Sequence, residues 1–259
     1  MSFKLGKKSV DILHNLASIE PMMVLAEGVQ QSTSNKTAKI YATATLPESF
    51  DTTFGMYNIN DLLSKIRLFK EDFTIDFDES NKKITMYDDY AKAIIHTSDT
   101  SLITPPQIGQ SIGEEETDIV FELSSEDLNK ISEFVKVMGT NLIAFTCGDG
   151  IIHIEGHVFD KLKENELKGY TTEPVWKIRL NDMAYDGEEF KYYTPLAFKM
   201  LDGDYEVRIR QFFGIRGQES DKLNKTRLPA IQLNGEFMRY IVTYNHYSKN
   251  QESLRNVSI

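Results

Sequence analysis

Apolar residues at three- and four-residue spacing open the chain. Val10, Leu13, Leu16 and Ala17 form one stripe across residues 7–19, with Lys7, Asp11, His14 and Ser18 on the opposite side, which predicts an amphipathic helix. The period then drops to two over residues 37–45, and a short aromatic run at 54–57 predicts another strand. Asn58 is placed to cap a second, shorter helix that turns Ile59, Leu62, Leu63 and Ile66 inward. Residues 73–77, 84–87 and 91–96 alternate again, separated by polar turns such as 78–82.

Between residues 97 and 117 the periodicity stops. Ser, Thr, Gly and the pair Pro105 and Pro106 accumulate there, ending in Glu114, Glu115 and Glu116, as in a linker. The programme then restarts. Ser124 precedes a helical turn with Glu126 and Asp127, the latter close to a capping-box position, and the apolar stripe is Leu128, Ile131, Phe134, Val135 and Met138. Val10, Leu13, Leu16 and Ala17, moved on by 118 positions, fall on Leu128, Ile131, Phe134 and Val135. Strands are predicted at 141–146 and 151–155, joined through Cys147 to a tight turn at Asp149 and Gly150, and again at 175–180. An aromatic strand at 190–193 followed by Thr194 as cap and Pro195 in the first helical turn repeats the arrangement around Asn58. Strands at 205–210, 228–233 and 237–244 close the pattern. A chain of 259 residues suits two cores better than one. The expected organisation is α+β, with a first domain at 1–108, a linker at 109–118 and a second domain at 119–259.

Composition narrows the chemistry. No stretch reaches the roughly 20 apolar residues of a membrane span, and the N-terminus lacks a secretory pattern, so a cytoplasmic protein is expected. The single cysteine, Cys147, excludes an internal disulfide and reads as a buried structural thiol. His153 and His157 are four apart, but in an alternating segment without the adjacent Glu of a zinc protease, so no metal is expected. Asp182, Asp186 and Glu188 miss the spacing of a calcium loop, and Asp76 and Asp78 lack an acid-base partner. No Gly-Lys-Ser or Gly-Lys-Thr phosphate loop occurs, so the chain itself should not hydrolyse ATP. Glycosylation patterns at Asn35 and Asn224 carry no weight without secretion. Neither a cofactor nor an enzymatic activity is expected. The formal charge of −10, from 39 acids against 29 Lys and Arg, argues against nucleic acid unless the cations gather on one face.

Several segments together resemble the sliding clamps of T-even-type bacteriophages. Residues 5–19 look like that family's first helix, and Met56 to Phe69, containing Tyr57-Asn58-Ile59-Asn60-Asp61-Leu62-Leu63, are similar to its second. The run from Glu126-Asp127-Leu128 to Leu142-Ile143-Ala144-Phe145-Thr146 matches without a gap and continues through 150–156, with weaker similarity at 190–205 and 234–244. Departures are extra length at 159–172, an insertion at 213–228 and a tail after Tyr247.

The resemblance implies a DNA clamp fold of two similar domains, each with two helices on a β-sheet. It also implies a homotrimeric ring around duplex DNA, held without reading sequence, that tethers the phage replicative polymerase. A separate ATPase would load it in the cytoplasm of the infected bacterial host, and late transcription factors would give it a second role. The polar helix faces are then the place for DNA contacts: Lys7, Lys8 and His14 on the first helix, and Lys65, Arg67 and Lys70 on and after the second. Lys130 and Lys136 on the third and Lys199 on the fourth complete the set. Glu133 falls where that family tends to be basic. Partner peptides are expected near the linker, at Leu102, Ile103 and Ile108, with Tyr244 beside them. Those apolar residues equally well pin the linker down. The alternative functions are a ring-forming structural phage protein and a small β-rich hydrolase.

Overall fold

In a computed structural model of the chain, the described residues are 2–35, 40–69, 73–78, 82–106, 117, 119–148, 150–158, 173–184, 190–195, 200–210 and 230–243. The chain divides into two compact units. One holds Met1–Gln110 with Phe198–Leu201 and Asn234–Ile241, and the other Ser111–Ala197 with Asp202–Leu233 and Val242–Ile259.

In the first unit, strand β1 (Ser2–Phe3) leads into helix α1 (Lys7–Ile19). The helix buries Ile12, Leu13, Leu16, Ala17 and Ile19 and leaves Val10 half-buried, so its inward face is turned slightly from the stripe read off the sequence. Asn15 is also buried on that face. Its Oδ1 accepts from Tyr240 Oη at 2.6 Å, and Tyr240 Oη accepts from the Leu201 amide at 2.9 Å, so no polar group of this trio is stranded. Strands β2 (Met23–Leu25) and β5 (Phe54–Met56) pair with each other. Between them, β3 (Gly28–Asn35) pairs antiparallel with β4 (Ile40–Phe50). Strand β3 carries Gln31 and Thr33 inward, an alternation of polar residues that periodicity alone does not reveal. Gln31 tolerates burial because its side-chain amide satisfies both backbone groups of Ala26, at 2.9 and 2.8 Å.

Helix α2 (Ile59–Ile66) begins where Asn58 predicts: the Asn58 side chain accepts from the Asn60 amide, and Ile59, Leu62, Leu63 and Ile66 all point inward. The following strands β6 (Thr74–Phe77), β7 (Lys83–Tyr87) and β8 (Lys92–His96) form one sheet in the order β1-β6-β7-β8. A 3-10 turn at Thr100–Leu102 follows. Here Gly55 is required, since a Cβ on it would lie 2.7 Å from the Ser98 carbonyl oxygen and 2.8 Å from Ile103 Cδ1.

The second unit starts with β9 (Ile119–Leu123), which pairs with β14 (Tyr205–Arg210). Helix α3 (Ser125–Met138) has a two-way cap: Ser124 Oγ accepts from the Asp127 amide at 3.1 Å and lies 2.7 Å from the Asp127 carboxylate. Gly139, at φ 62°, ends the helix in the left-handed conformation. Strands β10 (Leu142–Gly148) and β11 (Ile151–His157) form the expected hairpin, with Gly148 opposite Ile151 and Gly150 at φ 73°. They are flanked by β12 (Trp176–Ala184) and β13 (Phe190–Pro195), giving the order β12-β11-β10-β13. Strand β15 (Ala230–Asn234) lies beside β14, and the start of β16 (Met238–Thr243) lies beside β4 in the first unit.

Two expectations are corrected. Thr194 and Pro195 do not open a helix; they continue β13 opposite Ile143 and Leu142. Strand β13 ends the order of its sheet, where a proline without an N–H is tolerated. The apolar stripe of α3 is buried only at Leu128 and Ile131, while Phe134 and Met138 are exposed and Val135 is half-buried. Among the described residues β12 packs against α3, and the contact of Trp176 with Phe134, ring centroids 5.6 Å apart, marks its reach along that helix.

Candidate nucleic-acid interface

In the first unit, the outward row of α1 is Lys7, Asp11, His14 and Ser18, spaced so that successive turns present them on one side. Helix α2 lies alongside and adds Asp61 and Lys65, with Arg67 just past its last turn. Four cations, Lys7, Lys8, Lys65 and Arg67, therefore stand against two acids, Asp11 and Asp61, on the two helices and the residue that follows. The cations are not equivalent. Lys7 is exposed at the start of α1, whereas the Lys8 ammonium sits 4.7 Å from the Phe237 ring centre in a cation–π contact. Lys65 is half-buried, its Nζ 3.5 Å from the Asp61 carbonyl oxygen. Arg67 Nη2 reaches back across the helix pair to His14 Nε2 at 3.1 Å. Burial first, and then the Arg67 charge, lower the pKa of His14.

Helix α3 of the second unit is a weaker candidate on charge. Its two cations, Lys130 and Lys136, face three acids, Glu126, Asp127 and Glu133. Lys130 Nζ lies 2.7 Å from the Glu126 carboxylate one turn earlier; that hydrogen bond, with the charge behind it, lowers Glu126 and raises Lys130. Both side chains are solvent-exposed, so the pair is well screened. Lys136 stands exposed in the last turn, where a cation also suits the helix dipole. Lys70 and Lys199 lie outside the described residues.

The residues expected to meet partner peptides divide. Leu102 is 64% exposed in the 3-10 turn, while Ile103 is buried against Gly55 and so anchors the start of the connecting segment. Ile108 and Tyr244 lie outside the described residues.

The sheet of the second unit carries a charge cluster that periodicity did not single out. Glu155 on β11 is 5% exposed, yet it collects Lys191 from β13 at 2.8 Å, His157 at 3.1 Å, Lys177 from β12 at 3.3 Å and Thr146 from β10 at 3.4 Å. Burial alone would raise its pKa. The hydrogen bond from His157, the bond and charge of Lys191 and the bond from Lys177 outweigh burial and bring it down to about 2. The sequence signal was a carboxylate midway between two histidines on an alternating strand. His157 is thereby engaged with a carboxylate, and His153 bonds to the Ile151 carbonyl oxygen at 3.2 Å. Among the described residues no group of three or more His, Cys, Asp or Glu side chains is arranged to hold a metal ion, and no helix is long and apolar enough to cross a membrane. Asp76 accepts from Tyr87 Oη at 2.9 Å, and Asp78 accepts the amides of Lys82 and Lys83 at 2.8 and 3.0 Å; both carboxylates hold their sheet together.

No protein-family model matches the sequence. Curated relatives do. The sliding clamp of Escherichia phage RB69 is 27% identical over 208 residues, 80% of this chain and 86% of the relative. That of Enterobacteria phage T4 is also 27% identical, over 241 residues, 92% of this chain and 95% of the relative. Among solved structures, proliferating cellular nuclear antigen from Entamoeba histolytica superposes with a TM-score of 0.60 over 94% of this chain and 97% of that one, at 11% identity. An identity so low carries the fold alone, and the fold is the α+β clamp fold.

Proposed function

We infer that this chain is a sliding clamp of the T4-like phage kind, a processivity factor that holds a DNA polymerase to its template. The carrying observation is the end-to-end likeness to the phage T4 clamp, 241 residues covering 92% of this chain and 95% of the relative, on a clamp fold. A clamp requires no reacting group. It needs cations that meet phosphates regardless of sequence and long side chains that let the contact slide. Lys7, Lys65 and Arg67 on the α1–α2 face have that character, and Lys136 on α3 adds to it. Lys130 contributes less because Glu126 already neutralises it. Lys8, His14, Lys70 and Lys199 complete the proposed contact set.

Three copies joined head to tail close the ring, which a heterologous contact does only when the rotation per copy is right. The chain has no phosphate-binding loop to drive opening, so a separate ATPase loads it. The exposed Leu102 borders the docking place for partner tails of the polymerase, the loader and the late transcription machinery, while the buried Ile103 fixes the segment it stands on. All of this takes place on DNA inside the infected host.

Light scattering of the purified chain combined with loader-dependent primer extension tests the reading. The expected outcome is a trimer that lengthens products only with loader, ATP and polymerase, and that stays on circular DNA but runs off linear ends. A chain that assembles yet never lengthens products is instead the ring-forming structural protein.

A further inference from the structure

Where α1 meets α2, the 3.1 Å contact between Arg67 Nη2 and His14 Nε2 fixes more than a distance. A guanidinium has only protons to give, so Nε2 must accept, and the imidazole is neutral with its proton on Nδ1. No carboxylate pairs with Arg67 among the described residues. The other charged group acting on His14 is Asp11 on its own helix, which opposes burial and Arg67. Strands β3 and β4 pack against the buried side of α1; their one charged side chain, Glu48, is bonded to Ser9. Tyr240 on β16 is bonded to Asn15. Among the described residues the pair thus consists of an arginine that no carboxylate answers and a histidine held neutral beside it, on the face that carries Lys7 and Lys65. An anion is the missing third member, and a phosphate has enough acceptor oxygens for both.

We propose that His14 and Arg67 form a proton-coupled phosphate clamp bridging α1 and α2. With no phosphate present the neutral imidazole holds the guanidinium in place. A DNA backbone phosphate then accepts from Arg67, and His14 Nε2, released, takes a proton from solvent and becomes the second cation. This rests on the sliding-clamp reading. No covalent bond changes, and the proton taken up is the only one moved. Because the phosphate raises the proton affinity of His14, DNA binding strengthens as pH falls through the bound-state value. The gain ends below the free-state value, at a limit of about tenfold per pH unit for one proton.

The test is a magnetic-resonance titration of the His14 ring in the full chain, assigned with His14→Gln, without and with a linear duplex that an assembled ring can thread. Without DNA, Arg67→Met should raise the pH at which His14 titrates; with the wild-type chain, duplex should raise it as well. Wild-type affinity for the duplex should increase several-fold from about pH 8 to about pH 5.5, and His14→Gln should lose most of that ratio. An Arg67→Met chain whose His14 titrates as before overturns the pairing. If duplex shifts other signals on α1 and α2 but leaves His14 unmoved, the coupling is wrong while the clamp reading survives. Duplex that perturbs no helix signal at all removes the clamp reading, and this proposal with it.

Discussion

A buried carboxylate is a liability unless it is fully answered, and Glu155 is answered from all four strands of its sheet. Its pKa lies below the ordinary 4.5, at about 2, so its contribution is complete above 4.5 and is lost as pH falls toward about 2. A displacement of that size corresponds to roughly 3 kcal/mol. Acid titration followed by circular dichroism should therefore show unfolding that begins in this window. Glu155→Gln should lower stability at neutral pH by a similar order and flatten the loss between about pH 4.5 and about pH 2. Equal acid sensitivity in both chains would mean that the cluster is not what holds the sheet. The residue was legible in the sequence only as a polar position on an alternating strand; its neighbours come from segments far apart along the chain, and no local pattern announces such a meeting.

At the scale of elements, the legible parts are those whose signal is local. Helix α1 has the predicted bounds, and Asn58 and Ser124 cap α2 and α3 through backbone amides, as short polar side chains before an apolar stripe should. The hairpin between β10 and β11 follows from Gly150, a glycine that accepts a positive φ. The illegible parts depend on what the rest of the chain does. Strand β3 escaped notice because its inward positions include Gln31 and Thr33, made acceptable by partners such as Ala26. The segment after Tyr193 read as a helix start because Thr-Pro favours one, but pairing with β10 extends the strand. Ser124→Ala should cost about 1 kcal/mol by removing the α3 cap, measured by urea denaturation, and Ser124→Thr, which keeps the hydroxyl that accepts from the Asp127 amide and donates to its carboxylate, should restore most of it. If the alanine chain is as stable as the native one, the Asp127 amide finds another acceptor.

For the whole molecule, electrostatics decides which of the sequence candidates carry the proposed DNA contact. A chain of charge −10 repels a duplex at long range, so the cations of α1 and α2 must act at close range, against Asp11 and Asp61. Replacing Lys7, Lys65 and Lys136 by Glu should abolish loading while leaving the light-scattering mass unchanged. Single Lys→Ala replacements should each reduce the salt dependence of duplex binding by up to about three counterions, one from each copy in the proposed trimer. Unchanged processivity in the triple variant would place the DNA face elsewhere. The likeness to the phage clamps is spread over most of the length, with no short signature, so order and spacing of many weak matches made the fold readable while individual contact residues stayed open. The one cysteine also acquires a use. Cys147 is 5% exposed, and the chain has no other thiol. A maleimide dye added to the native protein would find little to react with, so a single engineered cysteine on α1 gives each copy one fluorophore at a known place, and energy transfer between copies would then report the opening and shutting of the proposed ring.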